Sequence, residues 1–294
     1  MTGSLVRSRT LLIFAVVGAL TGVLPARASR IVQDETGRKV TVPDHPHRIV
    51  CLVPSVTDTA FALGAGDDVV AISDYTKYPP AALKKPSIGS LVKPSIETIL
   101  SYHPDLVLGT EIPGSEETTA QLQAVGIPVY LVDPLGLDGI LKSVSSIGDA
   151  LNRIPQAVAL DANLARRIAA VKAQTAGKVA PRVLMPIWYD PIITIGKHAF
   201  ITEILETAGA RSVTDDLASD WPQISMEAVI ARAPDALVLI RGGKIPLNIL
   251  QSRPGWSTLP AFKAGNIYYV SAAIQDPSPV AIDALEEMAK QFHP

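Results

Sequence analysis

A chain of 294 residues, 48% apolar and 18% charged, has the material for a large buried core, which excludes an intrinsically disordered protein. Its 26 basic and 28 acidic residues give a formal charge of −2, so it lacks the basic footprint of a nucleic-acid binder. Cys51 is the single cysteine, which excludes an intrachain disulfide.

Residues 1–28 have the pattern of an export signal. Arg7 and Arg9 form a basic start, residues 11–24 are apolar, and Ala26-Arg27-Ala28 is a small-x-small cleavage site. Cleavage after Ala28 removes three arginines and no acid, moving the charge from −2 to −5. Cys51 lies far beyond that site and is not a lipid-anchoring cysteine; within the apolar residues 49–53 it is expected to be a buried strand residue. The expected location is therefore the periplasm, free of a lipid anchor.

Residues 31–42 predict a small hairpin turning at Thr36-Gly37. A first lobe, residues 29–136, then alternates strands and helices. Strands are expected at 48–53 and 69–72, with a helix at 57–63 between them. A proline-rich loop over 73–94 carries Tyr75 and Tyr78. A helix at 117–125 and a buried strand at 127–132 close the lobe. Residues 137–176 are helical in pattern, interrupted only near 152–155, and read as a stiff connector. Its expected buried stripe is Val158, Ala162, Ala165, Ile168 and Ala169. The second lobe, 177–294, begins with a strand at 182–187 and an aromatic loop at 188–191. A helix at 200–208, a polar loop up to Trp221, a strand at 266–270 and a closing helix at 281–292 follow. The alternation predicts an α/β fold of two Rossmann-like lobes with parallel sheets, bridged by a long α-helix.

One stretch occurs twice. SIETILSYHPDLVL starts at Ser95, and SMEAVIARAPDALVL starts at Ser225, 130 positions on. Ser95 and Ser225 suit a helix N-cap, Glu97 and Glu227 face the positive end of the helix dipole, and Pro104-Asp105 and Pro234-Asp235 end each helix. A short apolar strand comes next in both. Dipole stabilisation accounts for either glutamate alone. Their equivalent placement in two lobes suggests a second role, meeting arginines of a partner that grips both lobes.

Catalytic patterns are missing: there is no G-x-S-x-G, H-E-x-x-H, paired C-x-x-C or Walker sequence. The five histidines are scattered, so no metal site is expected. What remains is a concentration of aromatics near strand ends, where open α/β sheets bind ligands. Tyr75 and Tyr78 follow one strand, Trp188 and Tyr189 another, and Trp221 enters the second repeat. Ordinary loop packing explains any one of them; as a group they suit a bulky planar ligand.

DYTKYPP from Asp74, IGSLVKPSIETIL from Ile88, PDLVLGT from Pro104, GIPVYLVD from Gly126 and DWPQISMEAVIARAPDALVL from Asp220 resemble periplasmic substrate-binding proteins of ABC importers, of the class whose lobes are joined by a rigid helix. Within that class the chain is most similar to cobalamin binders. The resemblance implies a monomeric, non-catalytic receptor with no catalytic cofactor, whose transported ligand is cobalamin or a related corrinoid. It implies ligand contacts from Tyr75 and Trp221 and a further aromatic contact from the loop of Trp188; with Tyr78, Tyr189 and Leu91 these form the expected ligand-binding set. It also implies docking of Glu97 and Glu227 onto arginines of a membrane permease. Leu91 stands where the family's cobalamin binder has a tryptophan, and Ala272 or Ala273 where it has an aspartate, which also fits cobinamide. A haem or ferric-siderophore receptor of the same class is the alternative, then a secreted α/β enzyme, then a scaffold that binds a protein.

Overall fold

The computed structural model describes residues 28–91, 93–112 and 114–294. The expected export signal, apart from Ala28, lies outside these residues.

The chain enters through an antiparallel hairpin, β1 (Ser29–Gln33) and β2 (Lys39–Pro43). Asp34 fixes its turn by accepting from the backbone N–H groups of Thr36 and Arg38 while pairing with the Arg38 guanidinium at 2.6 Å. The first lobe follows as β3 (Ile49–Cys51), α1 (Pro54–Ala62), β4 (Val69–Ile72), α2 (Ile96–Ser101), β5 (Leu106–Thr110), α3 (Ser115–Ala124) and β6 (Val129–Val132). Its sheet is parallel, in the order β4-β3-β5-β6. The strands are buried almost throughout, as a parallel sheet covered on both faces requires. Helix α1 starts three residues before the predicted position because Pro54 occupies its first turn, where the missing N–H costs nothing.

Two helices, α4 (Gly136–Ala150) and α5 (Ile154–Thr175), form the connector. They break at Asn152, whose φ is +53°, just ahead of Pro155. Packed together, they approach closely at Gly148, where an added Cβ would lie 2.3 Å from the Ala157 Cβ. The buried face of α5 differs from the predicted stripe. Ala157, Leu164, Ile168 and Val171 are buried, whereas Val158 is 61% exposed. Alanines carry little weight in choosing a face, and the larger Leu164 and Val171 set the rotation of the helix. At 22 residues and about 1.5 Å each, α5 runs about 33 Å.

The second lobe comprises β7 (Arg182–Leu184), β8 (Pro186–Tyr189), β9 (Ile192–Thr194), α6 (Phe200–Thr207), β10 (Arg211–Ser212), β11 (Gln223–Ile224), α7 (Met226–Arg232), β12 (Ala236–Ile240), α8 (Leu247–Ser252), α9 (Pro260–Ala264), β13 (Ile267–Val270) and α10 (Ala281–Phe292). Its main sheet is parallel in the order β10-β7-β12-β13. In both lobes the second strand lies at one edge, then the first, third and fourth. Each copy of the repeated stretch supplies the helix and the third strand, so the sequence repeat is a repeat of topology. Alternation along β7 and β12 sorts their side chains. Val183, Ala236 and Val238 face one core, and Leu184, Leu237 and Leu239 face a second one around Trp256.

One prediction needs correcting here. The second lobe is not purely parallel, and Trp188 and Tyr189 are not in a loop. They end β8, which joins β9 and β11 in a three-stranded antiparallel sheet of order β11-β9-β8. A two-residue turn, Asp190-Pro191, makes the β8–β9 hairpin.

The first core is continuous across the molecule, running from Val50 and Leu108 through Leu164 and Ile168 to Ile204, Leu285 and Phe292. Polar contacts reinforce it between the lobes and between the second lobe and the connector. Asp58 on α1 accepts from the Ser278 hydroxyl at 2.9 Å and the Val280 N–H at 3.0 Å. Glu203 on α6 accepts from the Leu137 N–H at 3.0 Å, capping α4. Arg167 on α5 pairs with Glu286 at 2.8 Å and with Asp283 at 2.5 Å, both on α10.

Candidate functional site

Between the lobes lies a cleft of about 620 Å³, a volume typical of small-molecule sites. The residues that line it come from at or beyond the carboxyl ends of the parallel strands. Tyr75 and Lys77 follow β4, and Ile187 and Trp188 follow β7. The segment from Arg241 to Ile245 follows β12, and Ala272 and Gln275 follow β13. Side chains at those ends point off the sheet and are not consumed by its packing.

Tyr75 is 57% exposed and Trp188 36%, unusual for large apolar rings, and they belong to opposite lobes. The Trp188 indole N–H donates to the Asp190 carbonyl at 2.9 Å, and its ring lies 5.2 Å from that of Tyr189. Trp188 is thus held by its own hairpin. Trp221 is 47% exposed and is not among the residues that line the cleft. Trp188 pairs with Ile193 and Ile193 with Gln223. Hydrogen bonds from Thr194 to Pro222 and from Gly196 to Asp220 carry that register two residues further. Trp221 therefore enters β11 beside the hairpin that carries Trp188.

The other aromatic candidates sit elsewhere. Tyr78 bonds through its hydroxyl to the Ser271 hydroxyl of the opposite lobe at 3.1 Å and lines a separate cavity with Arg167 and Asp283. Tyr189 carries the Arg253 guanidinium 5.2 Å above its ring, outside the main cleft. Leu91 is half-buried against the core.

The cationic part of the cleft was not predicted. Lys77, Arg241 and Lys244 line it, and Gln275 adds an amide. Arg241 is positioned by its donation to the Tyr269 carbonyl at 3.1 Å and by an ion pair with Glu287. The Arg-Gly-Gly-Lys run immediately after β12 was the available signal, because that is where the sheet delivers its loop. Behind Gln275, burial pushes the Asp276 carboxyl up to about 6, against the pull of Lys77 and with a contribution from Asp58.

Glu97 and Glu227 are exposed at the starts of α2 and α7. Ser95 accepts from the Thr98 N–H at 3.1 Å and Ser225 from the Ala228 N–H at 3.2 Å, so both serines are true N-caps. A hydrogen bond from Ser225 holds the Glu227 carboxyl below the usual carboxylate range. Cys51 is fully buried, and burial pushes its thiol up to about 12. Among the described residues, no group of three or more His, Cys, Asp or Glu side chains gathers to hold a metal, and no helix is long and apolar enough to cross a membrane.

Comparison with known proteins supplies the family. Residues 49–273 match the periplasmic binding protein family. An uncharacterised ABC transporter substrate-binding lipoprotein of Bacillus subtilis is 31% identical over 271 residues, 90% of this chain and 85% of its own. A vitamin B12-binding protein of Salmonella choleraesuis is 32% identical over 212 residues, covering 72% of this chain and 78% of its own. Among solved structures, the apo form of a periplasmic heme-binding protein from Roseiflexus sp. RS-1 gives a TM-score of 0.77 at 28% identity, over 84% of this chain and 98% of that one. Because residues 49–273 span both lobes and the helical connector, the chain belongs to the family of periplasmic binding proteins, as a substrate-binding component of an ABC transporter.

Proposed function

We propose that this protein captures cobalamin or a related corrinoid between its lobes and delivers it to an ABC permease. Members of the family are transport receptors that hand a small molecule to such a permease, and they are not enzymes. The observation that carries the reading is the placement of Tyr75 on one wall of the cleft and Trp188 on the other. Two flat, partly exposed rings facing one gap suit a large planar macrocycle, and such rings lose little rotamer freedom on binding. Trp221 stands beside the hairpin that carries Trp188. Tyr78, Leu91 and Tyr189, also expected to touch the ligand, lie outside the lining of this cleft and are left out of the proposed contact set. The similarity to a vitamin B12-binding protein supports the corrinoid.

The loaded protein then docks through Glu97 and Glu227, one per lobe, onto arginines of the permease. Delivery from the periplasm follows from export of the chain, with the signal removed after Ala28. Haem is the second reading. Tyr75 places a phenol in the cleft that can serve as an axial ligand, and the chain is similar to a periplasmic heme-binding protein.

Titration of the purified protein with cyanocobalamin, cobinamide, haemin and a ferric siderophore, read by tryptophan fluorescence, tests the proposal. Quenching by the two corrinoids is expected, and Trp188→Ala should weaken it about 10- to 30-fold, the loss typical of a buried aromatic anchor. Quenching by haemin with no response to either corrinoid would overturn the assignment.

A further inference from the structure

The cleft carries a charge opposite to that of the chain around it. Acidic residues outnumber basic ones 28 to 26 in the sequence, yet three side chains that line the cleft are cationic and none is a carboxylate. The three come from both sides of the gap: Lys77 from the first lobe, Arg241 and Lys244 from the second. Only a molecule lying between the lobes can meet all of them. The loop that carries two of them, Arg241-Gly242-Gly243-Lys244, has no side chain at its centre. A ligand group can therefore reach the backbone between the two cations, and Gly242 takes a φ of +68° that other residues rarely adopt.

Their roles differ. Glu287 takes one side of Arg241 and uses its other oxygen to accept from the Ser271 N–H at 2.9 Å, so Arg241 is preset in direction but partly neutralised. Lys77 feels the half-buried Asp276 behind the wall. Lys244 is exposed on the lip. A cation on a long, solvated stem next to an apolar wall contributes most when a desolvated anion arrives beside it.

We propose that the polar end of this cleft selects an anionic substituent on the rim of the planar ligand, a phosphodiester or a carboxylate, with Lys77 and Lys244 as the specificity-determining residues. The inference rests on the interlobe cleft being the ligand site. It adds that the ligand sits with its apolar face on Tyr75 and Trp188 and its charged edge towards residues 241–244. A phosphodiester would come from the nucleotide loop of a corrinoid, and carboxylates from a porphyrin.

The test uses the full-length mature protein and the variants Lys77→Gln, Lys244→Gln and Trp188→Ala. The probes are cyanocobalamin, which has the phosphodiester; cobinamide, which lacks it; haemin; and haemin dimethyl ester, whose carboxylates are blocked. Each lysine variant is expected to weaken binding of the anionic member of the preferred pair about tenfold, the order of one charge-assisted hydrogen bond. The member that lacks the anionic group should hold within about twofold. Raising the salt from about 0.05 to 0.5 M should likewise weaken only the anionic member, because screening acts on exposed charges. The corrinoid and porphyrin pairs show which anion is the natural one.

Equal binding of both members of each pair by the wild type would overturn the proposal, as would lysine variants that weaken ligands with and without the anionic group alike. Failure of the underlying cleft reading looks different: Trp188→Ala would then leave the affinity of every probe unchanged. If that variant weakens binding while both lysine variants leave it unchanged, the cleft stands and the anion selection falls. Exposed lysine-to-glutamine changes leave the core untouched, so loss of fold does not cloud the outcome.

Discussion

Replacing Asp58 by alanine tests how the two lobes are held. The residue is 8% exposed on α1, and its Oδ2 accepts from the Ser278 hydroxyl and the Val280 N–H of the opposite lobe. Ser278 can turn its hydroxyl to the Asp276 carbonyl, 3.4 Å away, so alanine strands mainly the Val280 N–H. An orphaned buried donor costs about 1–3 kcal/mol, and losing bonds to a charged acceptor costs about as much again. Against this stands desolvation, which already pushes the Asp58 carboxyl above its usual range, so removing the buried charge returns part of the loss. The expected net destabilisation at pH about 7 is therefore about 1–3 kcal/mol. Urea unfolding followed by the fluorescence of buried Trp256 measures it, with Ser278→Ala as the smaller, single-bond control. A stability within about 0.5 kcal/mol of wild type, the scatter of ordinary surface changes, would refute the view that this carboxylate clamps the lobes.

Asp276, held up at about 6, favours the proton in the folded state; its contribution to stability is present at about pH 4 and is lost as pH rises through about 6. Thermal unfolding from about pH 4 to 8 should show that decline in the wild type and a flatter profile for Asp276→Asn. Glu97→Lys and Glu227→Lys should each lower import in a reconstituted transporter while ligand affinity stays within about twofold; a loss of affinity would count against a docking role. Cys51 should resist a thiol reagent in the native protein and react at the rate of global unfolding, because its thiol is buried and pushed up to about 12. Labelling of native protein within minutes would contradict that burial.

What could be read from the sequence was what local chemistry decides. The capping serines, the Pro-Asp turns and the buried strands after them mark the same supersecondary unit twice, and those units occupy equivalent places in both sheets. Tyr75 and Trp188 were legible from a general rule about strand ends. The antiparallel sheet was not, because β9 and β11 have three and two residues and pair across about thirty positions. The face of α5 was not legible because three of its five expected stripe positions are alanines, whereas Leu164 and Val171 face the core and Ala157 is the residue small enough to pack on Gly148. Lys77, Arg241 and Lys244 resemble any solvated cations until the fold brings them to one gap.

The apolar interior that runs from Val50 to Phe292 without a seam makes the halves inseparable as fragments. A polypeptide cut after Thr175 would bare the side of α5 that α10 normally covers, and the remainder would lose the surface against which α6 and α10 assemble. Neither piece should accumulate as a native monomer when expressed alone. Opening of the gap should then be small, because wide separation of the halves would tear that shared interior.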